Sequence, residues 1–169
     1  GPAPEPYSFF PPTNGVAVAV SMPRDNPGLM ICVIMSDGGV ICAGDSHTAN
    51  QVTVTTVNGQ IVTLYPYIAG LEQNVVALDV NRQHGCAVLT NGSVRCWGNN
   101  AYRQVGDGTQ SLDRYPAVDV VGLPGAAVAV LLPNDRSSCA LLQNGSVYCW
   151  GQVVEGDDPA LLGRTPYAL

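Results

Sequence analysis

Charge is scarce in this sequence. Charged residues make up 12% of the 169, with seven basic side chains against thirteen acidic ones and a formal net charge of −6. Nucleic acid and anionic membrane are bound through dense positive charge, so neither is an expected partner. No apolar run approaches the roughly 20 residues of a membrane span, and no useful stretch has the 3.6-residue periodicity of an amphipathic helix. Metal-type spacings such as Cys-x-x-Cys or paired Cys/His are missing, as are a phosphate-binding glycine loop and a basic stripe. No metal or other cofactor is expected.

What is present is apolar and rich in turns. Apolar residues form 46% of the chain beside 19 Gly and 13 Pro, the profile of a folded β protein rather than a disordered one. One unit occurs three times: Cys32-Val-Ile-Met-Ser-Asp-Gly-Gly-Val-Ile-Cys42, Cys86-Ala-Val-Leu-Thr-Asn-Gly-Ser-Val-Arg-Cys96 and Cys139-Ala-Leu-Leu-Gln-Asn-Gly-Ser-Val-Tyr-Cys149. Two apolar runs flank an Asp-Gly or Asn-Gly turn, which is a β-hairpin signal. With a three-residue loop and Gly in the left-handed position, Leu89 faces Ser93, Val88 faces Val94, Ala87 faces Arg95 and Cys86 faces Cys96. If Leu89 and Ser93 form a hydrogen-bonded pair, Cys86 and Cys96 form a non-hydrogen-bonded one, with Cα atoms about 4.5 Å apart. That separation is at the short end of what a disulfide tolerates. The other two copies count out alike, which predicts disulfides Cys32–Cys42, Cys86–Cys96 and Cys139–Cys149. Buried free thiols are the alternative. Structural disulfides place the protein in an oxidising compartment, secreted or at a cell surface. No leader peptide is visible, so on that reading the chain is a mature or excised one.

The hairpins sit in a longer repeat. The cysteine period is 54 and then 53 residues. Each hairpin follows a short aliphatic strand, at 16–20, 75–80 and 127–132, and each repeat ends in a strand around a proline, at Tyr65-Pro66, Tyr115-Pro116 and Thr165-Pro166. A period near 50 with four short strands per unit points to β-propeller blades. The expected fold class is all-β: three four-stranded blades at about 16–74, 75–126 and 127–169, preceded by a Pro-rich linker or edge segment at 1–15. In that segment Tyr7, Phe9 and Phe10 would dock on the domain edge.

The second repeat resembles the repeat of the regulator of chromosome condensation family. The matching residues are His84-Gly-Cys-Ala-Val-Leu, Asn91-Gly-Ser-Val-Arg-Cys-Trp-Gly98, Asn100, Gln104-Val-Gly-Asp-Gly108-Thr109 and Pro116-Ala-Val118. The third repeat matches through Asn144-Gly-Ser-Val-Tyr-Cys-Trp-Gly151 and is then shortened. The first is degenerate, with Ala43 in place of the tryptophan and Met30 in place of His84. The resemblance covers residues 16–169 and implies a propeller of four-stranded blades, not one activity. A nuclear exchange-factor role, which the family includes, fits poorly with paired cysteines and acidic charge, and a secreted, disulfide-containing branch fits better.

Few residues suggest chemistry. Asp45-Ser46-His47 invites a triad reading, but sequential neighbours in a loop seldom reach the required geometry. Acidic loops at Gly106-Asp-Gly108 and Glu155-Gly-Asp-Asp158 lack the spacing of a calcium loop. His84, at a repeat-motif position, is expected to make a structural hydrogen bond. Asn91-Gly-Ser93 and Asn144-Gly-Ser146 are glycosylation acceptor motifs, with the same residues that the turns require. Trp97 and Trp150 follow a cysteine and point to the opposite strand face, into the core. Tyr102, Arg103 and Tyr115 lie in or beside the long loop of the second repeat, and aromatic and Arg side chains are favoured interface anchors.

The expected function is that of a secreted, non-enzymatic recognition or adhesion module binding a protein or glycan through the propeller loops. The alternative is a carbohydrate-active lyase or hydrolase with two of Asp79, Asp107, Asp119 and Asp157 facing one cleft. Three blades fall short of a closed ring, which typically has four to eight. Apolar faces would stay open at both ends, at Val18, Val20, Ile34 and Val40 and at Leu141, Val147 and Leu161. The first expectation is a homodimer closing a ring of six. Its rivals are further blades of a longer chain and coverage by the N-terminal segment.

Overall fold

The computed structural model describes residues 15–21, 30–44, 53–64, 66–152 and 163–168, and every regular element among them is a β-strand. The first repeat gives β1 (Gly15–Ser21), β2 (Met30–Met35) and β3 (Val40–Gly44), hydrogen-bonded in that order. A two-stranded sheet follows, β4 (Thr53–Val57) and β5 (Gln60–Leu64). The second repeat is a four-stranded antiparallel meander: β6 (Val75–Val80), β7 (His84–Leu89), β8 (Val94–Asn100) and β9 (Ser111–Asp119). The third repeats it: β10 (Ala127–Asn134), β11 (Ser137–Leu142), β12 (Val147–Gly151) and β13 (Gly163–Ala168).

The first repeat departs from the expected four strands. Among the described residues its fourth position holds one bridge, Tyr67 against Ile41, where a strand around Tyr65-Pro66 is expected, and Tyr65 itself lies outside the described residues. The β4–β5 hairpin turns through Asn58 and Gly59, at φ +50° and +79°, with Val57 paired to Gln60. Positive φ at both central residues is what a two-residue hairpin turn demands. This Asn-Gly pair between β-branched runs gives the repeat a separate hairpin.

The three cysteine hairpins form in the expected register. Cys32 pairs with Cys42, Cys86 with Cys96 and Cys139 with Cys149 across their ladders, and each pair is a disulfide with Cα atoms 4.1 Å apart. The Leu89 N–H donates to the Ser93 carbonyl at 2.9 Å, closing the turn. The tip glycines Gly38, Gly92 and Gly145 take φ of +80°, +80° and +85°, where a side chain is strained.

The sheets stack with alternate faces in contact. Cys32, Ile34, Val40 and Cys42 of the first sheet pack on Val75, Ala87, Leu89 and Trp97 of the second. The opposite face of the second, with Cys86, Val88, Val94 and Cys96, packs on Ala127, Ala140, Leu142 and Trp150 of the third. The disulfide faces of the first and second sheets therefore each meet the next repeat. Backbone hydrogen bonds mark both joints alike: the Gly38 carbonyl accepts from Val75 N at 2.9 Å, and the Gly92 carbonyl from Ala127 N at 2.8 Å.

This stacking corrects the expectation of two open end faces. Ile34 and Val40 are buried against the second sheet, not exposed at an end. Val33, Met35 and Ile41, on the outer face of the first sheet, are buried as well. The third sheet differs. Leu141 is 39% exposed and Leu131 60%, whereas Val88, at the position of Leu141, is 1% exposed. Val18, Val20 and Leu161 have no described side-chain burial.

Candidate functional site

The long loop between β8 and β9 is folded by its own side chains. Asn100, fully buried, accepts from Val105 N and donates to the Thr109 carbonyl at 3.1 Å. Asp107 accepts from the Thr109 N–H and hydroxyl at 3.0 and 2.6 Å. Its carboxylate thus closes a turn. Gln104 is buried, and its Oε1 accepts from Tyr102 N while its Nε2 donates to Asn99 Oδ1 and to the Asp135 carbonyl. The loop clasps the third repeat through the Gln104 carbonyl, which accepts from the Ser138 hydroxyl at 2.7 Å and from the Trp150 indole N–H at 2.8 Å.

His84 closes the same network. Its Nε2 lies 2.8 Å from Ser138 Oγ, and Asn81 Oδ1 accepts from its backbone N–H at 2.9 Å. Burial pushes the ring pKa down to about 3, against the opposing influence of the Ser137 and Asp135 backbone. No group among the described residues makes a well-formed hydrogen bond to Nδ1. Neutral imidazole is what this seam holds, as expected of a structural histidine.

Above the network lies a pocket of about 220 Å³ lined by Gln83, Asn99, Ala101, Tyr102, Gln104, Asp135 and Arg136. It sits where two equivalent strand ends meet. Asn99 N donates to the Gln83 carbonyl in the second repeat, as Gln152 N donates to the Arg136 carbonyl in the third. The Arg136 guanidinium lies over the Tyr102 ring, 4.5 Å from its centroid, and Nη1 donates to Gln152 Oε1 at 3.2 Å. Cation–π stacking of this kind contributes about 0.5–1 kcal/mol at an exposed site.

Of the sequence-derived anchors, Tyr102 lines this pocket. Arg103 follows it at φ +62°, half-buried, with Nε lacking a hydrogen-bond partner among the described residues. Tyr115 falls within β9, and its side-chain placement is outside the described residues. Asp45, Ser46, His47 and Asp157 are also outside them. The remaining carboxylates proposed for an enzyme make backbone or ion-pair contacts. Asp79 accepts from Val80 N and Leu132 N at 3.0 and 2.8 Å. Asp119 pairs with Arg95 at 2.9 Å. Asn91 and Asn144 are exposed at their tips, each with Oδ1 accepting from the N–H and hydroxyl of the serine two residues on.

Sequence reasoning missed Gln83, Asn99, Asp135 and Arg136. The usable signal was the repeat itself: Asn81 and Asn134 begin equivalent turns, so Gln83 and Arg136 stand at equivalent strand starts.

Residues 75–104 and 134–152 match the family model described as the regulator of chromosome condensation (RCC1) repeat. The chain carries RCC1-like repeats. Yeast RCC1 (Prp20), in a crystal structure with Kap60 bound to it, superposes with a TM-score of 0.65 at 14% identity, over 96% of this chain and 38% of that one. Human WBSCR16 gives 0.58 at 16% identity, over 88% and 42%. These likenesses establish an RCC1-type β-propeller fold for the repeats. Human E3 ubiquitin-protein ligase HERC2 is 30% identical over 82 residues, 48% of this chain and 2% of its own length. Rho GTPase-activating protein gacGG of Dictyostelium discoideum is 27% identical over 93 residues, 54% of this chain and 8% of its own. The chain thus spans under a tenth of these two relatives.

Proposed function

We propose that this RCC1-like chain is a non-enzymatic protein-recognition module that works outside the cytosol and binds through the loop rim at the seam of its second and third repeats. The observation that carries this is the pocket itself. Its walls come from two repeats, locked by the Gln104 carbonyl, and it presents side chains on a stiff scaffold. Tyr102 is its aromatic wall, Arg103 follows it in the loop, and Tyr115 is assigned to the contact set on its sequence position alone. Among the described residues, Asp135 is the one carboxylate residue that lines it, whereas glycoside hydrolysis ordinarily needs two. The solved structures of similar fold support a protein partner, since yeast Prp20 binds Gsp1p and histones and has been crystallised with Kap60.

The three disulfides favour secretion or cell-surface display, where Asn91 and Asn144 become acceptors for N-linked glycan. The working units are a segment at 1–15 and repeats at 16–74, 75–126 and 127–169. The exposed face of the third sheet is closed by a second copy or by further blades of a longer chain. A photo-crosslinking residue at Tyr102 tests the reading. It should capture a discrete extracellular protein, and the same probe at Thr90, on the opposite rim, should not. Reducing-sugar release from a polysaccharide panel would overturn the non-enzymatic reading, and binding confined to a glycan array would replace protein by glycan.

A further inference from the structure

We infer that the pocket between the second and third repeats is an anchor for an acidic side chain of the partner, with Arg136 as its specificity residue. This rests on the protein-recognition reading above and names the chemistry of its contact.

Many of the pocket's hydrogen-bonding groups are already in use. Asn99 Oδ1 accepts from Ala101 N at 3.0 Å and from Gln104 Nε2 at 3.2 Å. These bonds fix the carboxamide and leave Nδ2, a donor, as its free end. Both ends of the Gln104 carboxamide are committed to Tyr102 N, Asn99 and the Asp135 carbonyl, so Gln104 is wall and not contact. The Gln83 carboxamide, the Tyr102 hydroxyl and the Asp135 carboxylate have no hydrogen-bond partner among the described residues. Of the Arg136 guanidinium, only Nη1 has a hydrogen-bond partner among the described residues, Gln152. Asn99 Nδ2 and the remaining Arg136 N–H groups are donors only, while the Gln83 carboxamide and Tyr102 hydroxyl can donate as well as accept, so an acceptor-rich ligand can be met by four of the five free groups.

Arg136 decides which acceptor. Its plane is held on Tyr102 and its Nη1 edge on Gln152, so little side-chain freedom is lost when the remaining edge pairs with a ligand. A carboxylate matches that edge with two parallel hydrogen bonds. Asp135 stands on the same wall, with a carboxylate able to accept the backbone N–H that accompanies an acidic residue. The pocket's 220 Å³ suits one side chain. The sequence contains no lysine, so every basic residue has the planar fork that such pairing uses.

The test is an NMR titration of the full chain with N-acetylglutamate N-methylamide, its neutral glutamine isostere and a methyl glucoside. The acidic probe should give saturable shifts at Gln83, Asn99 and Arg136 with a Kd in the millimolar range. The isostere should give none, and the shifts should weaken severalfold at 0.5 M salt. Arg136→Gln should weaken binding at least tenfold while the folded NMR spectrum is retained, and Arg136→Lys should recover part of the binding. Equal response to the isostere, or binding that survives Arg136→Gln, overturns the acidic anchor. No response to any probe also overturns it, and leaves protein recognition to be judged by the Tyr102 crosslink. Response to the glucoside alone overturns both readings.

Discussion

The carbonyl of Gln104 in the second repeat accepts the indole N–H of Trp150 in the third at 2.8 Å, inside a fully buried seam. The bond ties a loop to the neighbouring blade without any main-chain ladder between them. Trp150→Phe keeps an aromatic ring but removes the donor and leaves space beside Gln104. Loss of the buried bond costs about 1–3 kcal/mol, and imperfect filling of the space adds to it. Urea unfolding should show a loss of roughly 2–4 kcal/mol. A change below about 0.5 kcal/mol would mean that the seam does not depend on this bond.

His84 makes stability depend on pH. Its pKa falls from 6.5 to about 3 on burial, so between those values the unfolded chain holds a proton that the folded chain does not. Stability is therefore fully present above about pH 6.5 and declines as pH falls toward 3. Asp37 is also held below the ordinary carboxylate value, mainly by the Tyr67 phenol that donates to it. Its contribution is present above pH 3.8 and lost as pH falls below, so the slope between pH 6.5 and 4.5 reports His84. His84→Gln should flatten that slope in urea titrations at stepped pH. An unchanged slope would place the acid sensitivity elsewhere.

The two tip glycines separate turn strain from packing. Gly92 and Gly145 have nearly the same positive φ. A Cβ on Gly92 would lie 2.4 Å from the Ala126 Cβ, whereas one on Gly145 meets nothing within 4 Å. Gly145→Ala should cost about 1–2 kcal/mol, the left-handed penalty alone. Gly92→Ala should cost clearly more, because the backbone at Ala126, leading into β10, must shift. Equal losses in paired unfolding curves would count against the tight joint at Gly92.

The hairpins were legible because turn chemistry and a period of two act locally: Asn-Gly fixes the loop, and the loop fixes which cysteines face. The first repeat was less legible. Tyr65-Pro66 aligns with Tyr115-Pro116 and suggests a fourth strand, but Asn58-Gly59 between β-branched runs forms a local hairpin ahead of it. The pocket was illegible for a different reason. Gln83, Asn99 and Arg136 are brought together by the seam between repeats, and no spacing within one repeat encodes that meeting. Which end face is open also depends on how blades stack, so Ile34 and Val40 read as exposed when they are the buried joint.

Access orders the disulfides. Each closes a loop worth roughly 2.5–3 kcal/mol in the chain-entropy model. Cys32, Cys42, Cys86 and Cys96 are buried between sheets, whereas Cys139 lies half-buried on the exposed face of the third. Thiol exchange requires in-line access to a sulfur. Under limiting reductant, Cys139–Cys149 should open first, as read by alkylation and peptide mass mapping, and the melting temperature should fall again when the other two follow. Simultaneous opening of all three would mean that global unfolding precedes exchange.

That same face decides self-association. In the second repeat Asp79 accepts the Leu132 N–H of the next sheet, and its counterpart in the third is the exposed Leu131, paired across the ladder with Cys139. Leu131, Leu141 and Cys139 thus form an apolar surface where the second repeat carries a joint. Val33, Met35 and Ile41 are buried at the other end, so a head-to-tail ring of six would first have to uncover them. A two-fold contact of third sheet on third sheet needs no such step. Light scattering at tens of micromolar should give the mass of two chains, and Leu131→Asp with Leu141→Asp should return it to one with the melting transition retained. A one-chain mass for the unaltered protein would rule out the second copy as the occupant of this face and assign its closure to further blades or another partner.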